Sequence, residues 1–326
     1  MRRRAVIALL AGAATWPLVT QAQQLGPKRV GVLMTYAPDD PEAQLRARTI
    51  EGKLRELGWV SGGNIVLDYH WAGGSDRSVL RSHAAGLVRA APDLILCQST
   101  PALVALREET KAIPLLFVQV TDPVGAGFVQ SLAKPGGLIT GFTDFEYDIG
   151  GKWVDLLKEL DPNIASIDVI AMAGHAGNAG IFRAMGKAAA SAGVRLSKKD
   201  LRDDDAIERH IAPSADRTGL IVLPSPLVIA HRQEILDLAA RRQVPAIYPL
   251  RYFAASGGLL SYGIDQVDQW SRAATYVDRI LKGEKPGDLP VQQPSKFELV
   301  LNLRTARAMG LDLPASLLAR ADEVIE

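Results

Sequence analysis

Short apolar runs alternate with longer segments of helical periodicity from residue 28 to the end of the chain. The short runs are typical of buried strands, and the longer segments repeat apolar positions at intervals of three and four residues. The first pair is a predicted strand over residues 30–34 and a predicted helix over 41–57, with Ile50, Leu54 and Leu57 on one face. Strands that alternate with helices in this way predict parallel sheets covered by helices on both faces.

The alternation continues along the chain and restarts near residue 151. In the first half we predict strands over 30–34, 65–71, 94–97, 115–120 and 139–142, and helices over 41–57, 75–90, 100–110 and 124–132. In the second half we predict strands over 167–172, 194–196, 220–223, 246–248, 259–261 and 297–301, and helices over 151–160, 178–192, 203–210, 231–242 and 267–281, with further helices at the end. Two such halves predict an α/β protein with two lobes that enclose a cleft.

The first 22 residues have the pattern of an export signal peptide. Three arginines at positions 2–4 precede an uncharged apolar stretch over residues 5–19, and residues 20–22 (Thr-Gln-Ala) precede a cleavage point at Gln23. The apolar stretch is shorter than the ~20 residues of a membrane span, and a buried or anchoring N-terminal helix is the alternative. The consecutive arginines leave the general secretory and the twin-arginine routes open. We therefore expect a periplasmic protein that does not span the membrane after its leader is removed.

Composition narrows the choice of partners. A chain of 326 residues fits about two domains of ordinary size. A formal net charge of +1 gives no electrostatic reason to expect a nucleic acid as partner. Cys97 is the only cysteine, so the chain can form neither an intrachain disulfide nor a cysteine metal cluster. We expect a monomer without a metal or a cofactor.

Small polar residues follow the predicted strands, at the edge where an open α/β sheet binds its ligand. In the first half these are Thr35, Tyr36, Gln98, Ser99, Thr100, Thr121 and Asp122, and in the second half His175, Asn178, Ser225, Tyr248 and Asp265. Ser99 and Thr100 also begin a predicted helix, where free N–H groups favour an anion such as a carboxylate. The alternative is that they only cap this helix. Asp265 has two interpretations, an ion pair with a ligand ammonium and a cap on the helix that begins near residue 267.

The common sequence signatures of catalysis are missing. The five histidines have no metal-ligand spacing such as H-E-x-x-H, and the chain has no G-x-S-x-G elbow and no Walker A motif. The acidic run at 203–205 has the pattern of a solvated helix start rather than of a metal site. Tyr248 is expected to be a packed tyrosine with its hydroxyl at the edge of the cleft. These features favour binding over catalysis.

Several longer motifs together carry a family resemblance. They are residues 121–127 (TDPVGAG), 134–137 (KPGG), 140–141 (TG), 245–249 (PAIYP), 257–259 (GGL), 261–263 (SYG), 276–283 (YVDRILKG), 289–294 (LPVQQP) and 297–300 (FELV). With these motifs the chain resembles the ABC-transporter substrate-binding family that includes tryptophan- and tyrosine-binding members. The resemblance covers nearly all of the chain after the leader.

The resemblance implies a type I periplasmic-binding-protein fold, in which two Rossmann-like lobes with parallel sheets are joined by a multi-crossover hinge. The first lobe would hold residues 28–142 plus 262–288, and the second lobe residues 143–261 plus 289–326. Family members often carry an Asn-Pro pair after the first strand of the second lobe, where this chain has residues 173–178 (AGHAGN). The resemblance therefore does not transfer a ligand identity.

The sequence is best interpreted as a non-enzymatic, exported binding protein of an ABC importer. It would capture a small polar or amino-acid-like ligand by hinge closure and deliver it to an ABC permease and its ATPase. Two alternatives stay open. One is an exported α/β enzyme with Asp122 or Asp265 as general base, and the other is a ligand-sensing module for a separate receptor.

Overall fold

The structure is a computed structural model that describes residues 26–144, 146–173, 178–202, 206–211 and 217–326. These residues form an α/β protein with two sheets, one in each lobe. The predicted leader, His175 and the acidic run at 203–205 lie outside the described residues.

The first sheet has five parallel strands in the order β2-β1-β3-β4-β5. Its elements are β1 (Lys28–Met34), α1 (Pro41–Glu56), β2 (Ile65–Trp71), α2 (Arg77–Arg89), β3 (Leu94–Gln98), α3 (Thr100–Glu109), β4 (Leu115–Val120) and β5 (Ile139–Thr143). Helices cover both faces of this sheet, so every side chain of β3 and β4 is buried. Burial on both faces is the reason that these strands read as continuous apolar runs.

The second sheet has seven strands in the order β12-β11-β10-β9-β8-β6-β7. The remaining elements are α4 (Ile149–Leu160), β6 (Ser166–Met172), α5 (Asn178–Ala192), β7 (Arg195–Leu201), α6 (Ala206–His210), β8 (Thr218–Val222), α7 (Pro226–Ala230), α8 (Arg232–Arg241), β9 (Ala246–Tyr248), α9 (Arg251–Ala255), β10 (Leu260–Ile264), α10 (Gln266–Leu281), β11 (Phe297–Asn302), α11 (Leu303–Ala308), α12 (Ala315–Arg320) and β12 (Glu323–Ile325). Strands β10 and β11 are antiparallel, and the other neighbouring strands are parallel.

The chain crosses between the lobes three times. It leaves the first sheet after β5, returns after β10 so that α10 packs on the core of the first lobe, and rejoins the second sheet at β11. The last two crossings lie a few residues later than the lobe boundaries that the resemblance implies. Residues 262–264 belong to β10, because its pairing with β11 continues to Ile264. Residues 291–292 hydrogen-bond to the first lobe, where the Gln292 N–H donates to the Gly141 carbonyl at 2.9 Å.

The structure differs from the local predictions at one helix and at three short elements. The helix predicted over 124–132 is a series of turns, because Asp122 accepts a hydrogen bond from the Gly125 N–H at 2.9 Å and Gly127 has a φ of 68°. The helix predicted over 231–242 is α8, and a short helix that was not predicted, α7, precedes it. Elements α9 and β12 were not predicted either, because α9 has little more than one helical turn and β12 contains only two apolar residues.

Candidate ligand-binding cleft

A cavity of about 880 Å³ lies between the two lobes, at the carboxyl ends of the strands of the first lobe. Parallel strands end at one edge of a sheet, so residues that are far apart in the chain meet there. Seven residues predicted from strand ends line this cavity: Thr35, Tyr36, Gln98, Ser99, Thr100, Thr121 and Ser225. The first six come from the ends of β1, β3 and β4, whereas Ser225 caps α7 of the second lobe.

Backbone strain is concentrated at these strand ends. Ser99, Gln119 and Asp122 have positive φ angles of 83°, 60° and 43°, and such conformations cost roughly 1–3 kcal/mol each for residues other than glycine. The register of β4 shifts between Val118 and Val120, which marks a β-bulge at Gln119. As a result, Val118 and Val120 pack into the hydrophobic clusters on opposite faces of the sheet.

The bulge places Gln119 in a row of hydrogen-bonded side chains with Thr35 and Gln98. This row lies on the side of the cavity that the first lobe forms, which we call the cavity floor. The Thr35 main-chain N–H donates to Gln98 Oε1 at 3.2 Å, and the Thr35 hydroxyl donates to the same oxygen. Gln98 Nε2 donates in turn to Gln119 Oε1 at 3.1 Å. Gln119 Nε2 is buried and has no hydrogen-bond partner among the described residues. Sequence reasoning missed Gln119, because it lies inside a predicted strand and the bulge leaves no local signal.

The side chains of Ser99 and Thr100 do not cap α3. Ser99 makes no side-chain capping hydrogen bond, and its buried hydroxyl has no partner among the described residues. The Thr100 hydroxyl accepts a hydrogen bond from the Thr121 main-chain N–H at 3.1 Å, which ties the end of β4 to the start of α3. A ligand anion at this point would meet the positive end of the α3 dipole.

Asp144 is the acidic group of the floor that sequence reasoning missed. It directly follows β5 and accepts a hydrogen bond from the Thr121 hydroxyl at 3.2 Å. No lysine or arginine in the described ranges forms an ion pair with it. Burial in the cleft raises the pKa of Asp144 to about 6, although the Thr121 hydroxyl works in the opposite direction. The strand-end rule that selected Thr121 applies equally to Asp144.

The second lobe faces this polar floor with an apolar wall. Its apolar lining residues are Ile149, Trp153, Met172, Ala173, Ile181, Pro224, Ile229, Ala230, Pro249, Leu250 and Ile264. The Trp153 indole N–H donates to the Tyr262 carbonyl at 2.7 Å, so its polar atom is already satisfied. The cleft therefore matches a ligand with a polar head on the first lobe and an apolar body against the second lobe.

An ion pair crosses the mouth of the cleft. Arg232 of the second lobe lies 3.7 Å from the Asp40 carboxylate of the first lobe, and the guanidinium of Arg232 lies 5.5 Å from the centre of the Tyr252 ring. Asp40 also caps α1 through a 2.8 Å hydrogen bond from the Glu42 N–H. This ion pair connects the two lobes beside the cavity.

Two predicted acidic residues lie off the cavity wall and act as caps. Asp122 holds the turn that follows β4. Asp265 caps α10 by accepting from the Asp268 N–H at 2.9 Å, and it pairs with Lys296 at 2.6 Å. Burial alone would raise the pKa of Asp265, but the hydrogen bonds from Lys296 and from the Asp268 N–H outweigh it and lower the pKa. The capping interpretation of Asp265 therefore describes the structure.

Two further predicted residues are also absent from the wall. The Asn178 side-chain amide donates to the Met172 carbonyl at 2.9 Å, at the start of α5. Tyr248 is buried, and its ring stacks on Phe253 with centroids 5.3 Å apart. Burial raises the pKa of the Tyr248 hydroxyl. Both side chains support the second lobe behind the cleft.

The described part of the chain offers no metal centre. Within those ranges, no three histidine, cysteine, aspartate or glutamate side chains come together in a way that could hold a metal ion. Cys97 is buried in β3, and burial raises the pKa of its thiol. None of the described helices combines the length and the apolar character needed to cross a membrane.

The chain is similar in sequence to known proteins over most of its length. A family model described as ABC transporter substrate binding protein matches residues 39–325. A tyrosine-binding protein of Clostridioides difficile (strain R20291) is 28% identical over 259 residues, which span 79% of this chain and 74% of the relative.

Two solved structures differ in their ligand state. The ABC domain of Streptococcus pneumoniae in complex with L-Trp has a TM-score of 0.82 at 26% identity, covering 92% of this chain and 100% of that chain. A ligand-free, open substrate binding protein with adhesive properties from Clostridium difficile has a TM-score of 0.71 at 25% identity. The match covers 91% of this chain and 99% of that chain. The chain is therefore similar over nearly its whole length to a ligand-bound and to a ligand-free substrate-binding structure.

Proposed function

Because the chain belongs to the ABC transporter substrate-binding protein family, we propose that it captures a free amino acid with an aromatic or large apolar side chain between its lobes. The family consists of binding proteins rather than enzymes. One observation carries the ligand class. Asp144 is a carboxylate with no cationic partner among the described residues, and it lies on a polar floor beneath an apolar wall.

The polarity of the floor matches the head group of an α-amino acid. The start of α3, with the Ser99 hydroxyl, offers hydrogen-bond donors and a positive dipole to a carboxylate. Asp144, two strands away across β4, offers an acceptor to an ammonium. Adjacent strands lie about 4.8 Å apart, and Thr121 at the end of β4 lies between the two groups. The ligand carboxylate would point toward β3 and the ammonium toward β5.

The apolar wall of the second lobe supports an aromatic or large aliphatic ligand side chain. Trp153, Ile181 and Leu250 would cover it and remove it from water. The ligands in the names of two relatives, tyrosine and L-Trp, belong to the same chemical class. A ligand that touches both lobes stabilises their closed arrangement, which an ABC permease with its ATPase would then recognise. In this proposal the protein acts as a monomer and binds no nucleic acid.

Titration calorimetry with tryptophan, tyrosine, phenylalanine and leucine tests the proposal. We expect the aromatic amino acids to bind most tightly and to raise the unfolding temperature by mass action. Tryptamine lacks the carboxylate and indole-3-propionate lacks the ammonium, so each should bind at least about tenfold more weakly than tryptophan, since hydrogen bonds to charged groups contribute roughly 1.5–3 kcal/mol. Equal affinity of tryptophan and both analogues, or no binding of any amino acid, would contradict the proposal.

We also propose that the protein is exported with loss of its leader. The pattern of residues 1–22 supports cleavage before Gln23. Mass spectrometry of the protein from the periplasmic fraction should find a first residue at Gln23 or within a few positions of it. Replacing Arg3 and Arg4 by lysine keeps the positive charge, so it should block export only if the twin-arginine route is used. Intact residues 1–4 on the protein in cells would refute cleavage.

A further inference from the structure

The hydrogen-bond row on the cavity floor has a direction that is set by the main chain. A backbone N–H can only donate, so the 3.2 Å contact from the Thr35 N–H requires an acceptor oxygen on Gln98. This contact assigns Oε1 and Nε2 of Gln98 without ambiguity. Nε2 of Gln98 must then act as a donor toward the next side chain.

The direction passes on to Gln119. Gln98 Nε2 lies 3.1 Å from Gln119, so the Gln119 atom at this contact must be its acceptor Oε1. The other amide atom of Gln119, the donor Nε2, is left without a partner on a side chain that is only 6% exposed and lines the cavity. An unpaired buried donor destabilises the ligand-free protein. A ligand that supplies an acceptor for this donor removes the destabilisation. The unpaired Ser99 hydroxyl lines the same cavity.

The β-bulge holds Gln119 in this position. Without it, regular alternation would direct residue 119 into the face opposite Val118, among the apolar side chains beneath α2 and α3. Because Gln119 has a φ of 60°, it departs from the alternation of a regular strand. Val120, rather than residue 119, then packs among the apolar side chains beneath α2 and α3. The backbone strain thus keeps an amide, rather than an aliphatic side chain, at the cavity floor.

We propose that Thr35, Gln98 and Gln119 form a relay that presets the floor between β3 and β4 as a hydrogen-bond donor and thereby selects ligands that place an acceptor oxygen there. In this role Gln119 touches the ligand, and Gln98 is a positioning residue that acts through Gln119. The inference rests on the proposed function for its ligand class. It adds that a free carboxylate is preferred over a carboxamide, because both carboxylate oxygens are charged acceptors, whereas a carboxamide offers one neutral acceptor and turns its own N–H₂ donor toward the floor.

The substitution Gln98→Glu tests the relay by reversing it. At about pH 8 the new carboxylate can still accept from Thr35 but cannot donate, so the Gln119 amide should turn over, donate Nε2 to it and present Oε1 to the ligand. We expect the affinity for an amino acid to fall about tenfold or more, while the affinity for the corresponding amino acid amide, which carries an N–H₂ donor, falls less. The measured quantity is the ratio of the two dissociation constants, which should shift by about tenfold.

Two further variants keep the test decisive. Gln233→Glu adds the same charge at an exposed position of the cavity wall outside the relay, so it measures how far charge alone shifts the acid-to-amide ratio, and Gln98→Glu should shift that ratio several-fold more. Gln119→Leu removes the donor without adding a charge, and it should shift the ratio in the same direction as Gln98→Glu even if the latter folds poorly. An unchanged ratio in both Gln98→Glu and Gln119→Leu would overturn the relay.

The orientation of Gln119 can also be measured without a ligand. In the ¹⁵N-labelled, ligand-free protein, the side-chain amide of Gln119 should gain protection from hydrogen exchange in Gln98→Glu, because its N–H₂ group acquires a buried partner. Protection that does not change would refute the relay. If instead the wild type binds no amino acid but Gln119 gains protection, the relay stands and only the proposed ligand class fails.

Discussion

Replacing Asp144 by asparagine should lower the affinity for the amino acid ligand by roughly 2–5 kcal/mol, which is about 30-fold or more. The substitution removes the charge that faces the ligand ammonium and puts an amide in its place. Asparagine can still accept the 3.2 Å hydrogen bond from the Thr121 hydroxyl, so the local structure should persist. Calorimetry on the wild type and on Asp144→Asn measures the loss.

The ligand-free variant should be at least as stable as the wild type. Burial raises the pKa of Asp144 to about 6, above the ordinary value of an aspartate, so its charged form costs the folded protein stability above that pH. Asparagine removes this cost. If the carboxylate has a structural role, Asp144→Asn will instead lower the free energy of unfolding of the ligand-free protein.

The same residue predicts how binding depends on pH. The ligand ammonium favours the ionised form of Asp144, so binding should be tight above about pH 6 and should weaken as the pH falls through that value. Asp144→Asn should lose this dependence. Glu146→Gln is the matched control, because Glu146 carries the same charge on the cavity wall but is exposed to solvent. A similar loss of affinity in Glu146→Gln would mean that only the overall charge of the cleft matters.

Replacing Gly263 by alanine should destabilise the second lobe by roughly 3 kcal/mol or more, the upper end for overpacking. A Cβ atom at this position would lie 1.7 Å from the Pro249 carbonyl oxygen and 2.7 Å from the Pro249 carbonyl carbon. Both are main-chain atoms, so no side-chain rotation can relieve the clash. Urea unfolding measures the loss.

The clash also reaches the ligand site. Pro249, Leu250 and Ile264 line the cleft beside Gly263, so movement of this segment should weaken ligand binding as well. Gly186→Ala in α5 is the control, because a Cβ there would meet no atom within 4 Å. It should be neutral or stabilising by up to about 1 kcal/mol, since alanine favours the helix more than glycine does. Equal stability of Gly263→Ala and Gly186→Ala would show that the backbone at Pro249 can move freely.

Most strands and the position of the cleft could be predicted from the chain alone. Strands β2, β4 and β9 have the predicted bounds. Helix α5 does as well. Long buried strands are continuous apolar runs, and a parallel sheet collects its strand ends at one edge, so Ser99, Thr121 and their neighbours were found without coordinates. The sequence leaves two roles open for Asp265, because an acidic residue before a helix serves equally as a cap and as a ligand contact.

By itself, the sequence determined the α/β class, the two lobes and the polar strand ends of the first lobe, because these follow from the local alternation of apolar and polar residues. The tertiary structure decided which of those side chains remain available to a ligand. Asp265 forms an ion pair with Lys296, 31 positions further along the chain, whereas Asp144 forms none with the described residues. The donor direction of Gln119 comes from Thr35 through Gln98, across 63 and then 21 positions. Whether a polar group is free depends on partners that only the folded chain brings within hydrogen-bond distance, and no local pattern records them.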